Sequence, residues 1–152
     1  MRAHHRRHGK ASYDIKPRHP RSLRRNGCTP IRIGDTYAAA YADRIPSHFH
    51  AQGYACVSQA HAGLSDNLSY CAVADADIAA IIRAVAVERP DAIIVYCTNF
   101  PAAHLVADLE TETGIAVYDS VSACVWKSLQ LSGEPTALGS RWGSLFNDPR
   151  FA

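Results

Sequence analysis

Residues Cys97, Thr98 and Asn99 put a thiol, a hydroxyl and an amide on three consecutive positions, directly after the apolar run Ala92-Ile93-Ile94-Val95-Tyr96. A thiolate is both a nucleophile and a proton carrier. A hydroxyl and an amide beside it suit the oxygens of an anion. A plainer reading stands next to this one: free cysteine is among the most buried residue types, and a cysteine closing a buried strand needs no further role. Two other polar positions follow apolar stretches in the same way. Tyr37 comes just after Ile31-Arg32-Ile33-Gly34, and Asn67 ends the run Gly63-Leu64-Ser65-Asp66-Asn67. Their plain readings are a tyrosine capping the core and an asparagine in a turn, while Thr98-Asn99 suits a helix cap.

The elements around these residues decide whether they meet. Ile31 to Gly34 alternates as a short strand, and Asp35 after it suits a helix N-cap. Ala38, Tyr41, Ala42, Ile45 and Phe49 recur at helical spacing up to about Gln52, with Pro46 kinking or restarting the helix and Gly53 closing it. Tyr54 to Gln59 reads as a second strand and Ala60 to Tyr70 as a loop. Asp75 to Val87 is an amphipathic helix stopped before Pro90, and Ala92 to Tyr96 is the third strand. Pro101 opens a further helix with Ala103, Leu105, Val106 and Leu109 inward, ended by Gly114. Ile115 to Tyr118 is a fourth strand closing on Asp119-Ser120. Val121 to Leu131 is a last helix with Val125, Trp126 and Leu129 inward, ended by Gly133.

Alternating strands and helices predict an α/β fold: a single four-stranded parallel sheet with helices on both faces. Right-handed crossovers put every strand's carboxyl end on one edge. Tyr37, the Gly63–Asn67 loop, Cys97-Thr98-Asn99 and Asp119-Ser120 all fall there. Convergence of four polar tips is a stronger signal than any one of them.

The totals bound the rest. The 152 residues are enough for one ordinary core, and nearly half of them are apolar. No apolar run approaches the roughly 20 residues of a membrane span, and no apolar leader of the secretory kind is read at the N-terminus. The cysteines Cys28, Cys56, Cys71, Cys97 and Cys124 are scattered without a C-x-x-C pair. A zinc ribbon and a disulfide framework are therefore not expected, and a reducing cytoplasm is. The net charge of +2 hides an asymmetry: residues 1–25 carry nine Lys/Arg against one Asp, and the remainder seven against thirteen Asp/Glu. Residues 1–30 read as a disordered basic arm. It lacks the aromatic platforms of a single-strand binder, so a nucleic-acid partner is not expected. Its His4, His5 and His8 have no frame to fix a metal geometry. Residues 31–133 form the α/β unit that carries the cysteine. Residues 134–152 form a tail whose Trp142, Leu145 and Phe146 are expected to pack on a missing or partner domain.

Taken in order, the tyrosine after the first strand, the Gly-Leu-Ser-Asp-Asn loop, the Ile-Val-Tyr-Cys-Thr-Asn tip, the Val-Tyr-Asp-Ser-Val strand end and the helix with Trp126 resemble the aspartate/glutamate racemase superfamily. Within it they are most similar to the branch of maleate cis-trans isomerases, arylmalonate decarboxylases and ectoine-utilisation proteins. The resemblance runs from about Arg32 to Phe146. It implies one half of a pseudo-two-fold, two-domain fold that uses no cofactor and takes a small carboxylate between its halves. By the resemblance, Cys97 matches the second-half cysteine and Tyr37 the tyrosine that contacts substrate. Asn67 matches an asparagine of the isomerase branch, and Thr98 and Asn99 match the pair that holds a carboxylate. Asp35-Thr36-Tyr37 departs from the usual Thr-Pro-Tyr and sets an acid beside an anion site, and Asp119 adds a second. The family's first half, with its own cysteine, has no counterpart here, and Cys28 falls at the wrong end of its strand to replace it.

Isomerase or racemase chemistry on a small dicarboxylate such as maleate is the expected activity, with arylmalonate-decarboxylase-like activity or a non-catalytic remnant as alternatives. Backbone N–H groups at the helix start near Pro101 are expected to help lower the thiol's proton affinity. A homodimer or a separate first-half chain is the expected partner.

Overall fold

The computed structural model describes residues 29–148. The expected basic arm up to Cys28 lies outside the described residues. Its last two positions, Thr29 and Pro30, already belong to the first strand. Strands β1 (Thr29–Tyr37), β2 (Tyr54–Leu64), β3 (Ala92–Val95) and β4 (Ala116–Asp119) form one sheet in the order β2-β1-β3-β4, and every pair is parallel. The helices are α1 (Ala39–Ala42), α2 (Ile45–His50), α3 (Asn67–Cys71), α4 (Asp75–Ala86), α5 (Val106–Thr113) and α6 (Ser120–Ser132). 3₁₀ segments cover Ala103–Leu105, Thr136–Trp142 and Ser144–Asn147.

One face of the sheet packs on α4 and α5. The α4 stripe Ile78, Ala79, Ile81, Ile82 and Val85 is buried against Ile93, Val95 and Val117. Asp75 and Asp77 in its first turn complement the helix dipole. The approach is close at Gly34, where an added Cβ would stand 3.1 Å from Cγ2 of Ile81. The same face holds Arg32, only 2% exposed, because its guanidinium pairs with Glu88. An unpaired buried charge would be costly. On the opposite face, which α1 and α2 cover, Ile31 and Ile33 of β1 are buried together with Ala42 of α1 and Ile45 of α2.

The chain departs from its sequence-based reading in several places. β1 runs three residues past Gly34, so Asp35 lies inside the strand. Its carboxylate accepts the backbone N–H of Tyr37 at 2.8 Å instead of capping a helix. β2 continues to Leu64 because Ala60, Ala62 and Leu64 find the α4 face. It carries two irregularities, opposite Ile31/Arg32 and opposite Asp35/Tyr37, and Gly63 takes the left-handed φ of +72° at the second. Pro46 restarts the helix, as it stands in the first turn of α2. What read as one loop contains α3, capped by Asp66, which accepts from the Ser69 N–H at 2.9 Å.

α6 is not packed as its pattern suggests. Ser122 is its buried residue, Val125 is 38% exposed, and Trp126 and Leu129 are half-buried. β4 is an edge strand, so the helix after it has sheet on one side only. Conversely, Leu145 and Phe146, expected to pack on another domain, are buried in this one. Glu110 of α5 fastens that segment. Its carboxylate accepts from the Ser144 N–H and Oγ, both at 2.7 Å, and from the Val117 N–H of β4 at 2.8 Å.

Candidate active site

The chain leaves β1 for β2 on one side and returns to β3 on the other, so β1 and β3 are neighbours whose crossovers diverge. Such a switch point opens a crevice at the strands' carboxyl ends. Tyr37 closes β1 and Cys97 follows β3 by two residues, so both stand at that crevice. The ladder carries them there: Gly34 pairs with Val95, and the Tyr96 N–H donates to the Gly34 carbonyl at 2.9 Å.

Cys97 is 7% exposed and packed among Phe100, Tyr70 and the α4 face. Tyr37 is half-buried and leans on the same cluster. Its ring lies 4.7 Å from that of Tyr41 and 5.5 Å, edge-on, from that of Tyr70. Burial pushes the Tyr37 hydroxyl above the ordinary phenol range. The neighbouring Cys97, Tyr41 and Tyr70 push the same way. Tyr37 therefore keeps its proton near neutral pH and has an O–H to donate. Burial also raises Tyr70, helped by Cys97, Asp66, Asp35 and Tyr41. Sequence reasoning placed Tyr41 on a helix face and Tyr70 at a loop end, and missed that both rings lie against Tyr37, with Tyr70 in the cluster that holds Cys97. The Asp66-x-x-Ser69 cap, which starts the short helix carrying Tyr70, was the available signal.

Asn67 and Asn99 come together. The Asn99 side-chain amide donates to the Asn67 backbone carbonyl at 2.5 Å, tying the β3 tip to the start of α3. Asn99 thus spends one amide N–H on the loop and has a second N–H to offer. Thr98 is exposed and faces a cavity of about 340 Å³, whose walls include Phe100, Pro101, Val121, Val125 and Trp142. At the β4 tip, Asp119 is turned into its helix and accepts the Ser122 N–H at 2.8 Å. Burial raises it, against the hydrogen bonds from Ser122 and its neighbours. Ser120 Oγ donates to the Val95 carbonyl at 2.8 Å.

The helix start proposed beside Cys97 is displaced. The chain turns at Cys97 to Phe100, makes the 3₁₀ segment Ala103–Leu105, and begins α5 only at Val106. A helix dipole fades within its first turn, so α5 contributes little at Cys97. No three His, Cys, Asp or Glu cluster as metal ligands among the described residues. No helix there is long and apolar enough to cross a membrane.

Comparison with known proteins places this arrangement. A family model described as arylmalonate decarboxylase matches residues 19–146. Among solved structures, maleate cis-trans isomerase of Nocardia farcinica bound to TRIS has 20% identity and a TM-score of 0.75, covering 87% of this chain and 54% of that one. The maleate isomerase Iso of Pseudomonas putida S16 has 21% identity and a TM-score of 0.71, covering 84% and 52%. An arylmalonate decarboxylase has 18% identity and a TM-score of 0.66, covering 84% and 57%. The chain spans about half the length of these solved structures, so its parallel sheet corresponds to one half of a two-domain fold. A search of curated proteins finds no match.

Proposed function

Because the chain belongs to the arylmalonate decarboxylase family, whose model matches most of it, we propose that it works without a cofactor on a small carboxylate such as maleate. Cys97 is the reacting group in this reading. The observation that carries it is the placement of Tyr37 and the buried Cys97 at the tips of adjacent strands, in one packed cluster. Among the solved structures is a Nocardia farcinica maleate isomerase mutant with a covalently bound succinylcysteine intermediate, which supports thiol chemistry for this reading.

In the isomerase reading, a thiolate adds to one alkene carbon. The π pair moves onto the other carbon and its carboxylate, the single bond rotates, and the thiolate leaves with the trans double bond restored. Cys97 either makes this addition or gives and takes a proton at the α-carbon. Tyr37 donates to the sulfur or to the developing enediolate. Thr98, Asn99 and Asn67 hold a carboxylate, since preorganised donors matter most where charge develops. A second unit completes the open edge: another copy of this chain, or a separate first-half chain. The half-length match to the solved structures supports this.

The cavity beside Thr98, walled by Phe100, Val121, Val125 and Trp142, favours a second reading. It gives room to an aryl substituent, as arylmalonate decarboxylation needs. There, departure of CO₂ leaves an enediolate, and the Cys97 thiol protonates its α-carbon.

The test is incubation of the full chain with maleate, following fumarate by NMR, and with phenylmalonate, following phenylacetate, with the mass in solution measured by light scattering. Turnover of either substrate supports the reading. No turnover and no binding of either, at any oligomeric state, leaves a non-catalytic remnant. Asn99→Ala is expected to raise KM several-fold with a smaller change in kcat, read from initial rates. An unchanged KM removes Asn99 from the carboxylate site.

A further inference from the structure

Asp35 is fully buried in β1, yet its carboxylate is only half satisfied. Oδ1 accepts the Tyr37 N–H at 2.8 Å, while Oδ2 is buried without a partner among the described residues. Its direct partner across the β1–β2 ladder is His61, 8% exposed, whose Nδ1 is likewise buried and without a partner there. Register partners point to the same face of a sheet. Two orphaned polar atoms on adjacent strands are a costly arrangement unless a water joins them. We propose that Asp35 is a positioning residue for Tyr37, and that Asp35 and His61 act as one protonic pair behind the reacting cysteine.

The link to the site is the Tyr37 N–H. An ionised carboxylate accepts it more strongly than a protonated one, so the proton on Asp35 sets how firmly Tyr37 is held against Cys97. Other groups around Asp35 do not replace this role. From β2, Gln59 spends its amide on the Ala42 carbonyl at 2.9 Å. From β3, Tyr96 is half-buried and packs on Phe49 at 5.7 Å. From α1 and α3 come the phenols Tyr41 and Tyr70, with Asp66 at the α3 cap acting on Tyr70 and Cys71 exposed, and the α2 histidines His48 and His50 are exposed. The charges of α4, namely Asp75, Asp77 and Arg83, are exposed and lie across the sheet. Burial raises Asp35 to about 7, against the lowering by the Tyr37 N–H, so Asp35 exchanges its proton within the physiological range. The acid that stands beside an anion site in this chain is thereby neutral for part of that range.

The positioning role rests on Tyr37 and Cys97 forming the site; the titration of the pair does not. The experiment follows the Tyr37 backbone amide by NMR from pH 5 to 9, in wild type, Asp35→Asn and His61→Gln. Wild type is expected to show a sigmoidal shift with a midpoint near 7. Asp35→Asn, which keeps the acceptor, should abolish the transition, and His61→Gln should move its midpoint. A flat wild-type response, or a midpoint unmoved by His61→Gln, overturns the pair. Stability gives a second readout. A carboxyl raised on folding stabilises fully below about pH 4 and loses that contribution as pH rises through about 7. The wild-type Tm should therefore fall over that window and the Asp35→Asn Tm should not. If turnover exists, its pH profile should lose a limb near 7 in Asp35→Asn. Titration without any turnover leaves the pair intact and sinks the proposed activity alone.

Discussion

Cys97→Ser is expected to lower kcat by about a hundred- to ten-thousand-fold, the range of one acid–base or nucleophilic group. A serine hydroxyl is isosteric but holds its proton far more tightly than a thiol, so it neither adds to an alkene nor exchanges a proton with carbon near neutrality. The fold should survive. Cys97 sits after the end of β3 with slight exposure, and the Tyr37 hydroxyl beside it can hydrogen-bond an oxygen as well as a sulfur. The measurement is kcat/KM beside the Tm. Lost turnover at unchanged Tm supports the assignment, and unchanged turnover sinks it. Tyr37→Phe should give the smaller loss, about tenfold or more, because it removes one donor and leaves the sulfur.

Phe146→Ala is expected to destabilise the domain by about 3–5 kcal/mol, as for other buried aromatics cut to alanine. For a domain of this size that means a Tm lower by about 10 °C or more. Phe146 is 2% exposed, and a Cβ on Gly139 would fall 2.1 Å from its ring, so the ring lies directly on that backbone. Its removal loosens Trp142, whose ring is 6.3 Å away and which walls the cavity beside Thr98. Leu138→Ala is the control. Leu138 is 66% exposed, and its loss should change stability by less than about 0.5 kcal/mol. Urea unfolding of both variants checks this. Equal, small effects would mean that the C-terminal segment is not part of the folding unit.

The parallel sheet was legible because each strand is a short apolar run between turn residues, and because strands alternate with helical periods. Residues 97 to 99 and Tyr37 were legible as site candidates because topology alone sends strand tips to one edge. Other features were not. Asp35 reads as a cap, since a short polar residue after a strand is commonly one, and only the tertiary cover of α1 and α2 reveals it as buried strand. Tyr41 and Tyr70 reach Tyr37 from two different helices, a convergence that periodicity does not record. The α6 pattern marks an apolar face correctly but cannot tell that β4 has no further strand beside it. The burial of Leu145 and Phe146 depends on Glu110, an acid on an otherwise ordinary helix, gathering donors from β4 and Ser144.

The irregular β2 bears on how this chain meets its neighbours. At eleven residues it is the longest strand, and it lies at the end of the sheet order with β1 as its partner. A straight edge of that length would template fibril-like stacking of one chain on the next. Its two extra residues break the even rhythm of outward N–H and C=O groups, so an incoming strand finds matching groups over only a few positions. At the other end β4 offers four residues. Sheet extension is thus discouraged at both ends. A contact between copies made through either end of this sheet would therefore be short and soon out of register.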